Sequence, residues 1–187
     1  MHILWLDTET TELDPHTGAI SQIAAISEIG AHFKANLTPF AGAGISEDAL
    51  RVQGITRAEL FSRGEPQEEV FRRLIRFCSC TTTDQIMLAG YNATFDKNFI
   101  FESMIRLGYR PTQFFSPYVL DVYALAQIFF SDLDKKPARM RLSYVCSWFG
   151  IPLEAHDALA DIVATQTLYL KLRELWASRF CPCHTPA

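Results

Sequence analysis

A chain of 187 residues, 49% hydrophobic and 20% charged, has the length and balance of one globular domain with a core of its own. Its net charge of −4 excludes a broadly basic nucleic-acid coat but not a small local groove. No apolar run approaches the roughly 20 residues of a bilayer span, so no membrane partner is expected, and five cysteines without secretory features suit reduced thiols in a cytoplasmic protein.

The opening Met1-His2-Ile3-Leu4-Trp5-Leu6-Asp7 has no basic region ahead of its apolar stretch, unlike a signal peptide. Residues 2–7 read as a strand buried on both faces. Asp14-Pro15 with Gly18 marks a turn, and residues 20–29 and 31–38 read as the second and third strands. Ser46 opens a short helix, and Thr56 opens another with Glu59 completing a capping-box pattern. Over 66–78, Val70, Phe71, Leu74, Ile75 and Phe77 form an apolar stripe with Arg72, Arg73 and Arg76 on the wet side. Residues 85–91 are a short apolar strand. A helix runs from Asn92, its candidate cap, to Leu107 and stops at Gly108.

A strand-to-helix passage follows at 118–130, then a polar, flexible loop at 131–141. Two more helices are expected, one over 142–149 stopped by Gly150 and a long one over 158–176. Early strands, late helices and one strand between helices predict an α/β fold, a mixed sheet flanked by helices, in a single domain over 1–176 with a short tail at 177–187. Cys78-Ser79-Cys80 and Cys181-Pro182-Cys183-His184 have one residue between cysteines, short of the two to four of structural zinc sites. A buried helix cysteine near 78 and a frayed tail are the expectation. Asp132, Asp134, Lys135, Lys136, Arg139 and Arg141 read as a solvated linker in the 131–141 loop.

Three strings carry chemistry: Leu6-Asp7-Thr8-Glu9-Thr10-Thr11, Asn92-Ala93-Thr94-Phe95-Asp96 and His156-Asp157-Ala158-Leu159-Ala160-Asp161. Asp7 and Glu9, two apart at a strand end, point to one side, although an acidic turn would look the same. Asp96 lies in the first turn of a helix, where it also complements the helix dipole, and a strand-to-helix junction is where α/β folds place ligands. His156 and Asp161 are five apart and converge only if the histidine lies in the loop before the helix. Carboxylates gathered by folding repel and lose hydration, and the oxygen-seeking cations Mg²⁺ or Mn²⁺ offset both. His156 beside such a cluster is a candidate general base.

These strings, in this order and spacing over residues 3 to about 173, resemble the three motifs of the DnaQ-like (DEDDh) 3′→5′ exonucleases, the family of proofreading nucleases. The stretches Ala49-Leu50-Arg51-Val52-Gln53-Gly54-Ile55-Thr56 and Leu142-Ser143 through Phe149-Gly150-Ile151 are similar to the family's supporting segments. The resemblance implies an RNase H-like exonuclease fold and two divalent cations held or oriented by Asp7, Glu9, Asp96 and Asp161. In it His156 deprotonates the attacking water. It further implies that Thr8, Thr10 and Asn92 contact the 3′-terminal nucleotide, that Leu13 acts as a wedge between the last two bases, and that Phe95 is a wall for the terminal one; rim packing is the other use for the last two.

Two positions depart from the family. Glu12 stands where many relatives carry glycine, placing bulk and negative charge near an anionic substrate, so that Glu12→Gly is expected to leave activity equal or higher. Gln53 stands where many have histidine. The expected substrate is the 3′ end of single-stranded DNA, with nucleoside 5′-monophosphates as products and roles in repair or proofreading, the latter with a DNA polymerase supplied in trans. An exoribonuclease on short RNA, a catalytically weak nucleic-acid-binding module and a small-nucleotide phosphatase are the alternatives.

Overall fold

The computed structural model describes residues 2–79, 84–131, 133–134, 136–153 and 157–180, with the backbone alone at 179 and 180. Five strands are laid in the order β3-β2-β1-β4-β5. They are β1 (His2–Thr10), β2 (Ile20–Ser27), β3 (His32–Asn36), β4 (Ile86–Gly90) and β5 (Phe115–Asp121). The first three form an antiparallel meander, while β1–β4 and β4–β5 are parallel. The sheet is therefore mixed, as expected, with β1 at its centre.

The helices are α1 (Glu47–Gln53), α2 (Arg57–Arg63), α3 (Gln67–Ser79), α4 (Ala93–Arg106), α5 (Val122–Ser131), α6 (Leu142–Trp148) and α7 (Ala158–Phe180). Among the described residues none is long and apolar enough to cross a membrane. Alternation along β1 divides the core in two. Leu4 and Leu6 face α3 and α4, packing with Phe71, Leu74, Phe99 and Ile100. Trp5 faces the other way, with Ala24 and Ile26 of β2, against α5, α6 and α7 through Val122, Phe130, Val145, Ile162 and Leu168. Burying side chains on both faces accounts for the unbroken apolar run of residues 3–6.

Local signals set the helix boundaries where they exist. Ser46 caps α1, and Thr56 with Glu59 closes the expected capping box on α2. Gly108 and Gly150 take positive φ just beyond α4 and α6. On α3 the deeply buried positions are Val70, Phe71, Leu74 and Cys78, with Ile75 and Phe77 half-buried. Burial pushes the Cys78 thiol up to about 12, the inert structural cysteine expected there. Cys80 and the 181–187 tail lie outside the described residues.

Several boundaries differ from expectation: β2 ends at Ser27 rather than 29, β3 at Asn36 rather than 38, and β5 begins at Phe115 rather than 118. β1 runs on to Thr10, because pairing with β2 continues past Asp7 to a bulge between Glu9 and Thr10. α7 reaches Phe180 rather than 176. Part of the polar 131–141 loop is tied down, since the Tyr91 hydroxyl donates to the Met140 carbonyl at 2.6 Å; Asp132 and Lys135 lie outside the described residues.

Candidate active site

Asp7 and Glu9 leave β1 on the face that packs against α7, the face opposite Leu6 and Thr8. Asp161 sits one turn into α7, and Asp96 one turn into α4 on the other side of the sheet. The end of β1 is thus clasped between the starts of two helices. Asp96, only 4% exposed, spends one oxygen on Thr8: Oδ1 accepts the Thr8 N–H at 2.9 Å and the Thr8 hydroxyl at 2.7 Å. Those two bonds fix α4 to β1 across 88 residues of chain and set where Asp96 points.

Electrostatics report how close the carboxylates are. Burial and then the charges of Asp96, Asp161 and Glu9 push Asp7 well above the usual carboxylate range. Burial, then Asp161 and Asp157, raise Glu9 to about 7. Burial raises Asp96 to about 7 as well, against the lowering effect of its Thr8 bonds. A group that resists ionisation because like charges surround it is one that a cation relieves.

Asp157 behaves oppositely. Its Oδ2 accepts from Lys34 Nζ at 2.5 Å and its Oδ1 accepts from the N–H groups of Leu159 and Ala160, which hold its carboxyl below its usual range. It caps α7 and, through Lys34, ties that helix to β3. Asp7, Ala24 and Lys34 are partners across three strands, so Lys34 rises from the sheet on the face that carries Asp7. His156 lies outside the described residues.

A family model described as Exonuclease matches residues 4–169. The chain belongs to the exonuclease family. Within it, the chain is DnaQ-like (DEDDh). It is 27% identical to ribonuclease T of Hahella chejuensis over 91% of this chain and 83% of that protein, and 24% identical to ribonuclease T of Escherichia coli K12 over 91% and 84%. In fold it is similar to E. coli exonuclease I in complex with a dT13 oligonucleotide, with a TM-score of 0.76, 22% identity and 96% of this chain covered. The exonuclease I of Methylocaldum szegediense gives 0.78, 21% and 97%. The chain spans about two-fifths of the length of those exonuclease I chains, 43% and 41%.

The donor set of this exonuclease fits a divalent cation. Four carboxylates on three elements offer only hard oxygen ligands, and three of them have raised proton affinity. Among the described residues no three acidic, histidine or cysteine side chains are gathered so as to hold a metal ion by themselves, and Asp96 has one oxygen engaged by Thr8. Mg²⁺ ordinarily keeps several waters and is held by one or two carboxylates together with substrate phosphates, which this arrangement allows.

Beside the carboxylates runs an open groove of about 690 Å³ lined by Thr8, Glu9, Thr10, Leu13, Val52 and Phe95, among others. Leu13 is 85% exposed, while Phe95 leans on Phe99 with ring centroids 4.9 Å apart. The groove thus gathers most of the substrate positions expected from sequence. The hydroxyls of Thr8 and Thr10 face inward, to Asp96 and to the Glu12 carbonyl. Asn92 needs correcting as a cap: its side chain makes no cap bond, and its backbone is left-handed with φ of 64°. Its N–H donates instead to Asp121 Oδ1 at 2.9 Å, which also accepts the Tyr123 N–H at 3.0 Å.

Both departures from the family acquire structural roles. Gln53 Nε2 donates to the Thr10 carbonyl at 2.8 Å, and its Oε1 accepts the Ser21 hydroxyl at 2.7 Å. Ser21 is the extra residue of the β2 bulge, so Gln53 braces α1 against the end of β1 at the point where the bulge turns the chain. Glu12 lines the groove, yet its Oε2 accepts from the Thr17 hydroxyl at 3.0 Å within its own loop. Glu12 thus lies at the groove, as expected, and also has a partner within its own loop. Glu12, Gln53, Lys34 and Asp121 were not legible as site-building residues, because each acts through a partner remote in sequence or a backbone group.

Proposed function

We propose that this exonuclease removes nucleoside 5′-monophosphates from the 3′ end of single-stranded DNA, using two divalent cations and His156 as general base. The observation that supports it best is the raised proton affinity of Asp7, caused after burial by Asp96, Asp161 and Glu9 together: residues from all three sequence motifs act on one carboxyl. Divalent cations bound there supply neutralisation of the phosphate's charge and acidification of water.

The chain's own residues do the rest. Asp7 and Glu9 present their oxygens from a rigid central strand, so little reorganisation accompanies binding. Thr8 holds Asp96 in place by two hydrogen bonds. Leu13, Val52 and Phe95 offer apolar surface to the terminal base. Asp157 and Lys34 anchor the start of α7, and with it Asp161. His156, next to that anchor in sequence, takes the proton from the attacking water in its neutral form. A polymerase partner in trans, and a single domain over 1–176 ahead of the tail, belong to the same reading.

RNA 3′ ends are the second reading, favoured by the relatives named ribonuclease T that match over most of their length. Initial rates on single-stranded DNA and RNA of one sequence, with products identified by chromatography against nucleoside 5′-monophosphates, decide between them. DNA is expected to be shortened at least as fast as RNA. RNA cleaved much faster than DNA would replace the first reading with the second, and release of inorganic phosphate from mononucleotides alone would overturn both.

A further inference from the structure

Residues 11–18, in the loop between β1 and β2, bring Glu12 and Leu13 to the groove. At its base the Thr11 N–H donates to the Ala19 carbonyl at 2.8 Å and the Thr11 hydroxyl to the Gly44 carbonyl at 2.6 Å. Leu13 itself is 85% exposed. Among the described residues little packing holds it, so its position depends on the anchors of the loop that carries it.

Two further anchors bear on that loop. Arg106, the last residue of α4, donates from Nη2 to the carbonyls of Pro15 at 3.2 Å and His16 at 3.4 Å. Its guanidinium lies 3.9 Å from the centre of the Phe40 ring. Glu102 stands 3.7 Å from Nη2 and 3.4 Å from His16 Nδ1. Nη1 is buried without a hydrogen-bond partner among the described residues. Desolvating part of a guanidinium is costly, and what it obtains here is a charge-assisted hold on two successive loop carbonyls. Glu12 acts from the second side: its Oε2 accepts from Thr17, and its carboxylate lies so close over Gly44 that a Cβ there would come within 2.5 Å of Oε1.

We propose that Arg106 and Glu12 are positioning residues for the terminal nucleotide: together they clasp the 11–18 loop and hold Leu13 at the groove, without touching the reacting atoms. This rests on the reading of the groove as the 3′-end site. It also makes α4 serve twice, delivering Asp96 from its first turn and steadying the base-contacting loop from its last.

The test compares Arg106→Ala, Arg106→Lys, Gly44→Ala, Glu12→Ala and the Gly44→Ala/Glu12→Ala double variant. The substrates are a single-stranded DNA 12-mer with 2-aminopurine at its 3′ end and bis(p-nitrophenyl) phosphate, a diester without a base. Arg106→Ala is expected to raise KM for the oligonucleotide about tenfold with little change in kcat. It should lose the 2-aminopurine fluorescence change on binding and keep the wild-type rate on the base-free diester. Arg106→Lys should recover part of the KM.

Gly44→Ala evicts the Glu12 carboxylate without altering it. It should raise KM about threefold alone and add nothing on the Glu12→Ala background, the non-additivity of groups acting as one unit. This pair carries the test if Arg106→Ala does not fold. A folded Arg106→Ala with unchanged KM and fluorescence, additive effects of Gly44→Ala and Glu12→Ala, or equal losses on both substrates would overturn the proposal. A wild-type protein that cleaves the diester but neither binds nor shortens the oligonucleotide would overturn the groove reading itself.

Discussion

Asp96, Asp161 and Glu9 each raise the proton affinity of Asp7, so removing it should separate chemistry from folding. Asp7→Ala and Asp161→Ala are each expected to lower turnover about a thousandfold or more, several kcal/mol of transition-state stabilisation. Both should melt no lower than wild type in EDTA, because deleting one of several crowded carboxylates relieves repulsion. Near-normal turnover in Mg²⁺ would refute the ligand assignment. His156→Ala should cost about 10²- to 10⁴-fold in rate while leaving Mn²⁺ affinity nearly intact, which electron paramagnetic resonance of free Mn²⁺ can follow. At this scale the sequence was informative about which carboxylates folding gathers, as with Asp7 and Asp96. It was silent on Gln53 and Lys34, whose roles depend on Thr10, Ser21 and Asp157 arriving from elsewhere in the chain.

At the scale of elements, the strand-to-helix junction after β4 shows what local patterns reveal. The apolar run 86–90 and the stripe of Phe99, Ile100 and Met104 made β4 and α4 plain from sequence. The left-handed Asn92 between them was not, because it is sustained by Asp121, 29 residues away. Gly90 adds a close approach, since a Cβ there would lie 2.8 Å from the Leu6 carbonyl oxygen. Asp121→Ala strips acceptors from the Asn92 and Tyr123 N–H groups and should cost about 1–3 kcal/mol, read by denaturant melts, with a fall in kcat as Asp96 loses its setting. Asp121→Asn keeps an acceptor oxygen and should recover most of both. Equal losses in the two variants would show that charge, rather than the shared hydrogen bonds, is what matters.

At the scale of the whole molecule, the fold gathers like charges and leaves their relief to a ligand, which makes stability depend on pH and cation together. Burial, with neighbouring carboxylates, pushes Glu9 and Asp96 up to about 7 in the folded protein, above their values of 4.5 and 3.8 when unperturbed. A carboxyl with a raised folded value holds its proton longer in the native state. Its contribution is therefore fully present below about pH 4 and lost as pH rises through 7. In EDTA, the melting temperature of the wild type relative to Asp7→Asn is expected to fall between pH 4.5 and 8. Mg²⁺, which binds the ionised form, should restore it at pH 8 and do little at pH 5. A difference that rises with pH in EDTA would contradict the electrostatic picture.

The mixed sheet, its flanking helices and the gathering of Asp7, Glu9, Asp96 and Asp161 were legible in the sequence. What was not legible is the frame around that centre: the Thr8–Asp96 bonds, the bulge at Ser21 and the clasp on the 11–18 loop. These join residues far apart in the chain, which no local periodicity encodes. The most direct measurement follows a 5′-labelled single-stranded oligonucleotide with Mg²⁺, with Mn²⁺ or with EDTA, beside Asp7→Ala. A ladder shortening from the 3′ end, present with either cation and absent with EDTA or in the variant, is predicted. Cleavage that persists in EDTA or in Asp7→Ala, or no ladder under any condition, would contradict a carboxylate-held exonuclease centre.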